Sequence, residues 1–173
     1  MHKIRVSSEE KNKNNIDFKL KNGVLFLKQK AYSGVLKTLY ANGNLKSKST
    51  YYQGKRYGVY KGWYLNGAKW FTRFYTDGLK TGTHLGWFRS GQQQFEYHFN
   101  KKGVYHGTVK DWHKNGVLAK YFNFKEGKEV GSQEMWGFDG EIRANFFTVN
   151  GERHGLIGLK KCISVLTFEK DVR

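Results

Sequence analysis

Glycine returns in this chain on a fixed step. It stands at 34, 58, 82, 107, 131 and 155, so the spacings are 24, 24, 25, 24 and 24. A second column runs 43, 67, 91, 116 and 140, and a third 54, 78, 103, 127 and 151. Together the three columns hold 16 of the 21 glycines. Such a period marks a repeat array, in which one supersecondary unit is copied and each copy buries its apolar face against its neighbours.

The unit is clearest between Gly58 and Gly82, where two short aromatic segments are separated by Asn66-Gly67 and closed by Asp77-Gly78. The first turn recurs as Asn42-Gly43, Asn66-Gly67, Ser90-Gly91, Asn115-Gly116 and Asp139-Gly140. Four of these five are the Asn-Gly or Asp-Gly pairs of tight type I′ hairpins. In the other column the glycine follows Gln53, Asp77, Lys102, Glu126 and Asn150. Turns at this spacing leave strands of about six to eight residues. No helical period survives between them, and the chain has no proline. The expected fold is all-β: an elongated, twisted, single-layer antiparallel β-meander of about six hairpin repeats. A polar tail, read as flexible, covers 1–15, and a degenerate capping hairpin around Asn22-Gly23 covers 16–33. Repeats follow at 34–57, 58–81, 82–106, 107–130 and 131–155, and a C-terminal cap with a strand at Cys162–Phe168 fills 156–173.

Alternation sorts the second strand of each repeat. Positions 13, 15 and 17 after the opening glycine carry nine aromatics in fifteen places, among them Tyr51, Phe71, Tyr75, Phe95 and Phe99. The intervening positions hold four, Trp70, Phe74, Tyr121 and Phe147, so the first set belongs to a packed face and the second to a wetter one. First strands sort less cleanly. Position 5 reads Leu39, Trp63, Trp87, Trp112, Trp136, and position 6 reads Tyr40, Tyr64, Phe88, His113, Gly137. Either both faces carry rings or a bulge re-aims one column.

The net charge of +17 is uneven. Residues 1–58 hold 13 Lys/Arg against 3 Asp/Glu, 59–131 hold 12 against 5, and 132–173 hold 6 of each. A basic half suits an acidic partner, and charge also keeps a long one-layer sheet soluble. The longest uninterrupted apolar run is Val24–Leu27, far short of a membrane span, and residues 1–15 lack the apolar stretch of a secretory signal. As it stands the chain reads as cytoplasmic, and as envelope-associated if a leader precedes it. The single Cys162 excludes an internal disulfide and reads as a small buried apolar residue.

These residues resemble the MORN-repeat superfamily, in the variant repeat of bacterial YwqK-like antitoxins. The matching units are Gly58-Trp63-Tyr64-Asn66-Gly67 with Tyr75-Gly78, Gly107-Trp112-Asn115-Gly116 with Phe124-Gly127-Lys128-Gly131, and Tyr51-Gly54-Lys55-Gly58. His106-Gly107 and His154-Gly155 resemble the family's closing His-Gly. The likeness covers 34–155; Leu39 and Thr148 depart from it where aromatics are usual, in the two edge repeats. It implies a curled single sheet with a groove along one face. Choline-binding cell-wall repeats also alternate glycine with Trp-Tyr, but on a shorter step, and propeller blades need four strands and about forty residues.

No His-Glu-x-x-His, paired cysteine, phosphate-binding glycine loop or nucleophile elbow is present, so no catalytic residue, metal or cofactor is expected and the chain reads as a non-enzyme. His106 and His154 share a turn-closing position that suits a structural hydrogen bond. The tryptophans recur once per repeat, at about 10 Å for two strands. They form either the core of a thin protein or an aromatic groove. The candidate interaction surface is Trp63, Tyr64, Trp87, Phe88, Trp112 and Trp136 with the cations Lys46, Lys48, Lys55, Arg56, Lys61, Lys69 and Arg73. Three roles compete. The first is protein–protein interaction with an acidic partner, in an antitoxin-like or scaffold role. The second is peripheral binding to anionic lipid, without an amphipathic anchor. The third is nucleic-acid binding, which has interleaved basic and aromatic residues but no recognition signature. A homodimer through a sheet edge is a further option.

Overall fold

The computed structural model describes residues 6, 7, 9–13 and 17–158. Cys162 and the strand expected at Cys162–Phe168 lie outside them. The described residues form fifteen strands and no helix. Four short strands come first: β1 (Glu10–Asn12), β2 (Phe18–Lys21), β3 (Val24–Leu27) and β4 (Lys30–Ala31). The repeats supply β5 (Gly34–Leu39) and β6 (Leu45–Tyr52), β7 (Lys55–Trp63) and β8 (Lys69–Thr76), then β9 (Leu79–Trp87) and β10 (Gln93–Phe99). They continue with β11 (Tyr105–Trp112) and β12 (Leu118–Lys125), β13 (Lys128–Trp136) and β14 (Ile142–Val149), and the last strand is β15 (Glu152–Leu156).

Twelve strands form one sheet in the order β1-β5-β6-β7-β8-β9-β10-β11-β12-β13-β14-β15. Every pairing from β5 onward is antiparallel between sequence neighbours, so the chain is the expected meander, and it does not close into a barrel. At about 4.8 Å per strand the sheet runs about 50 Å. Within the stretch read as a flexible tail, β1 instead pairs parallel to β5 and covers that edge. Glu10 of β1 ion-pairs with Lys37 and Lys48, which hold its carboxyl below the usual range. Strands β2, β3 and β4 form a separate antiparallel sheet. It docks on the first repeat through Leu25 N–H to Gly54 O (2.8 Å) and Gly54 N–H to Tyr32 O (2.7 Å). A side chain at Gly54 would collide with Val24 Cγ1 at 2.3 Å, so the capping hairpin depends on this glycine.

The two turn columns differ in kind, except at Lys102-Gly103, where only the glycine has positive φ. At Asn22-Gly23, Gln53-Gly54, Asp77-Gly78, Glu126-Gly127 and Asn150-Gly151 both residues have positive φ, as a two-residue type I′ turn requires. In the Asn-Gly column only the glycine does. There Gly43 N–H donates to Tyr40 O (2.9 Å), Tyr40 N–H to Asn44 O (2.8 Å), and Asn42 Oδ1 accepts from Asn44 N–H (3.1 Å). The Asn-Gly pairs expected to make type I′ turns thus make a three-residue loop with glycine at its left-handed position. Asparagine is used for its side-chain oxygen rather than for positive φ. Each such loop carries a one-residue bulge, because Lys46, Trp70, Gln94, Ala119 and Arg143 each lack a partner across the hairpin.

Register and alternation divide the side chains between two faces. The inner face collects the buried core: Leu36, Ser47, Ser49, Tyr51, Phe71, Tyr75, His84, Phe99, Val109, Gln133, Ala144, Phe146 and Thr148. Rings there touch in sequence along the sheet, with Tyr60–Tyr75 at 6.4 Å, Tyr75–His84 at 5.5 Å and His84–Phe99 at 4.6 Å. Phe99–Tyr105 at 4.8 Å and Tyr105–Phe124 at 5.1 Å continue the chain. Size is matched across strands. Gly62 opposes Phe71 and Gly86 opposes Phe95, and a Cβ at either glycine would lie 2.3 or 2.0 Å from the facing ring. In the other repeats the same pair is Thr38–Ser47, joined hydroxyl to hydroxyl at 2.6 Å, Asp111–Lys120 at 2.6 Å, and Met135–Ala144.

Two buried polar residues in the core repair the sheet. His84 Nε2–H donates to Phe74 O at 2.8 Å, and Gln133 Nε2–H donates to Asn123 O at 3.1 Å while its Oε1 accepts from Asn123 N–H at 3.0 Å. Phe74 and Asn123 stand where the register shifts, so these side chains satisfy backbone groups the ladder leaves over. The carbonyl can only accept, which fixes the proton on His84 Nε2, and burial holds the ring's pKa below the ordinary histidine value.

Candidate functional site

The tryptophan column lies on the outer face. Trp63 follows inner-facing Gly62 and pairs with Lys69 beyond the bulge. With Val59, Lys61, Thr72 and Phe74 it lines a shallow depression of about 350 Å³. Trp87, Trp112 and Trp136 repeat the position in register, and all four tryptophans are half-buried. Among the described residues no ring contact joins one tryptophan of the column to another. The column is a set of separate steps. Tyr64 and its counterparts brace it: Tyr40 O–H donates to Trp63 O (2.8 Å), Tyr64 O–H to Trp87 O (2.8 Å) and His113 Nε2–H to Trp136 O (2.9 Å). Phe88 holds the same position without a polar atom.

The thirteen residues singled out from sequence therefore do not make one surface. Lys61 and Lys69 stand beside Trp63, and Lys69 also reaches over the Trp87 ring at 5.8 Å. Lys46 lies over Tyr40 at 5.3 Å, Lys48 is held by Glu10, and Lys55 pairs with Asp77 at 3.0 Å. Arg56 and Arg73 are on the opposite, inner face, where Arg56 opposes Tyr51 and Arg73 opposes Tyr60. The Arg56 guanidinium sits among Tyr51, Tyr60 and Tyr75 at 5.8, 4.8 and 5.6 Å, and Arg73 lies over Phe71 at 4.6 Å and Phe95 at 5.8 Å. Lys80, not anticipated, joins them over Phe99 at 5.3 Å.

Charge on the inner face changes along the sheet. Among the described residues Arg56, Arg73 and Lys80 pair with rings and have no carboxylate within ion-pair distance. Farther along, Lys120 meets Asp111 at 2.6 Å, and Arg153 takes both oxygens of Glu129 at 2.9 and 2.8 Å. Asp111 also accepts from the Tyr97 hydroxyl, whose pKa burial pushes up first and this carboxylate raises further. The inner face is thus an aromatic surface with unneutralised cations in its first half and neutralised ones in its second. A cation over a ring face is attracted by the ring quadrupole and still offers its N–H groups to an anion. The sequence signal for this stripe was the column two residues before each opening glycine: Tyr32, Arg56, Lys80, Tyr105, Glu129, Arg153.

Among the described residues no group of three His, Cys, Asp or Glu side chains is placed to hold a metal ion, and no helix is long and apolar enough to cross a membrane. A scan against models of known protein families gave no match, and a search of curated proteins gave none.

Proposed function

We propose that this chain is a non-catalytic, MORN-like binding module that receives an acidic segment of a partner protein along the inner face of its first three repeats. The observation that carries the reading is the run of Arg56, Arg73 and Lys80, laid on rings without carboxylate partners while the inner-face cations Lys120 and Arg153 beyond them have internal ones. Rings supply contact area at low conformational cost, and the guanidinium forks supply directed donors to carboxylates. The 24-residue hairpin unit supports the MORN-type reading, and the basic half supports the acidic partner. An antitoxin-like or scaffold role is one use of such a surface.

Titration of the full chain with a fluorescent Glu-rich peptide, anionic vesicles and a single-stranded oligonucleotide, each at rising salt, tests the reading. The peptide is expected to bind and to retain measurable affinity at moderate salt, because ring contacts persist when charges are screened. Binding to vesicles or oligonucleotide with none to the peptide would overturn it.

A further inference from the structure

We infer that Arg56 and Ser49 form a carboxylate-reading pocket between the sheet and the capping hairpin, which takes one Glu or Asp side chain of the acidic partner. The inference rests on the reading just given and assigns it a specific anchor point. The cavity measures about 240 Å³. That is room for about eight waters at roughly 30 Å³ each, and less than the 300 Å³ or more of sites for drug-sized ligands. It suits the head of one side chain. Phe18, Leu20 and Leu25 of the hairpin form one wall, and Ser47, Ser49, Tyr51, Arg56 and Tyr60 of the sheet form the other. Its cations are Arg56 and Lys13, and no carboxylate lines it.

Two atoms in this cavity lack hydrogen bonds. Ser49 is 4% exposed, and its Oγ has no partner; Arg56 Nε is also buried without one. The Tyr51 hydroxyl lies beside both residues, and burial raises its pKa first, so it remains a neutral phenol. Buried donors are rarely left unpaired in folded proteins, so two beside one another call for an acceptor. A carboxylate at this point would accept the Nε–H of Arg56 and the hydroxyl hydrogen of Ser49 together. Three tyrosine rings already hold the guanidinium, so little side-chain freedom is lost on binding. The same face shows the pattern completed: Glu129 gives Arg153 the two-oxygen contact that Arg56 lacks.

The test uses the full chain with an N-acetylated, C-amidated tetraglutamate peptide, its glutamine counterpart, and acetate and inorganic phosphate as competitors. Affinities are measured for the wild type, Ser49→Ala and Arg56→Lys, and the Arg56 Nε–H resonance is followed by NMR in the wild type. The Glu peptide is expected to bind and move that resonance, and the Gln peptide to do neither. Arg56→Lys should weaken binding at least about tenfold and Ser49→Ala by about threefold or more, as lost hydrogen bonds to a charged group do. Wild-type affinity in both variants, or a silent Arg56 resonance, would overturn the pocket while leaving the acidic-partner reading intact. Phosphate displacing the peptide at lower concentration than acetate would overturn the carboxylate assignment. Absence of any binding of the Glu peptide to the wild type would remove both.

Discussion

The two faces of this sheet are built from the same residue types and do different work. On the inner face successive rings meet across strands, glycines lie beneath phenylalanines, and His84 and Gln133 mend the ladder. On the outer face each tryptophan stands apart from the next, and Trp63, Trp87 and Trp136 are braced through the backbone carbonyl rather than the ring. In a one-layer sheet no second layer exists to define the core. The core is the face whose ring columns fall within reach of each other, and the column richest in tryptophan is not that face.

The comparison predicts a hierarchy of costs. Phe71→Ala removes a 4%-exposed ring wedged over Gly62 and should cost about 3–5 kcal/mol in denaturant unfolding, whereas Trp63→Ala on the outer face should cost under about half of that. Equal costs would erase the distinction between the faces. Gly86→Ala drives a methyl into the Phe95 ring and should destabilise by about 1–3 kcal/mol, an overpacking cost that Phe95→Leu partly relieves. Gly91→Ala makes a useful contrast: it meets no neighbouring atom, so its cost comes from positive φ alone.

Acid should act through the inner face as well. His84 has a folded pKa below its ordinary value of 6.5, so below that value the unfolded chain binds the proton first and stability falls as pH drops toward the folded pKa. The slope in that window is at most about 1.4 kcal/mol per pH unit. Unfolding midpoints measured between neutral pH and the carboxylate range should show it in the wild type and lose it in His84→Gln, which keeps a donor for Phe74 O. An unchanged slope would mean that other groups carry it. The smallest effect belongs to a turn. Gln53 holds φ of 48°, a conformation asparagine adopts more readily, so Gln53→Asn should stabilise by about 0.5–1 kcal/mol.

Much of the fold was legible because glycine spacing reports turns directly, and turns 11 to 13 residues apart leave only short strands between them. The kind of turn was not legible. Asn-Gly is compatible with a type I′ turn and with a three-residue loop, and only the bulge at Lys46, Trp70 and their equivalents decides between them. The packed columns at Tyr51, Phe71 and Phe99 followed from alternation. Grouping Arg56 and Arg73 with the tryptophans did not survive the register, since nearness along a strand says nothing of side when successive residues point to opposite faces. Gly62 and Gly86 fall outside the three glycine columns, and their purpose shows only when the facing Phe71 and Phe95 are known. The pairing of β1 with β5 was hidden because three polar residues carry no strand pattern of their own.

The central claim is that the inner face, not the tryptophan face, meets an acidic partner. Its most direct test removes the same amount of charge from each side: Arg56→Gln with Arg73→Gln against Lys61→Gln with Lys69→Gln, both titrated with the same Glu-rich peptide. The inner pair should weaken binding by about tenfold or more, and the outer pair should stay within about twofold, the screening expected of solvated lysines. Equal losses would show that only net charge matters, and a larger loss from the outer pair would place the partner on the tryptophans and contradict the account.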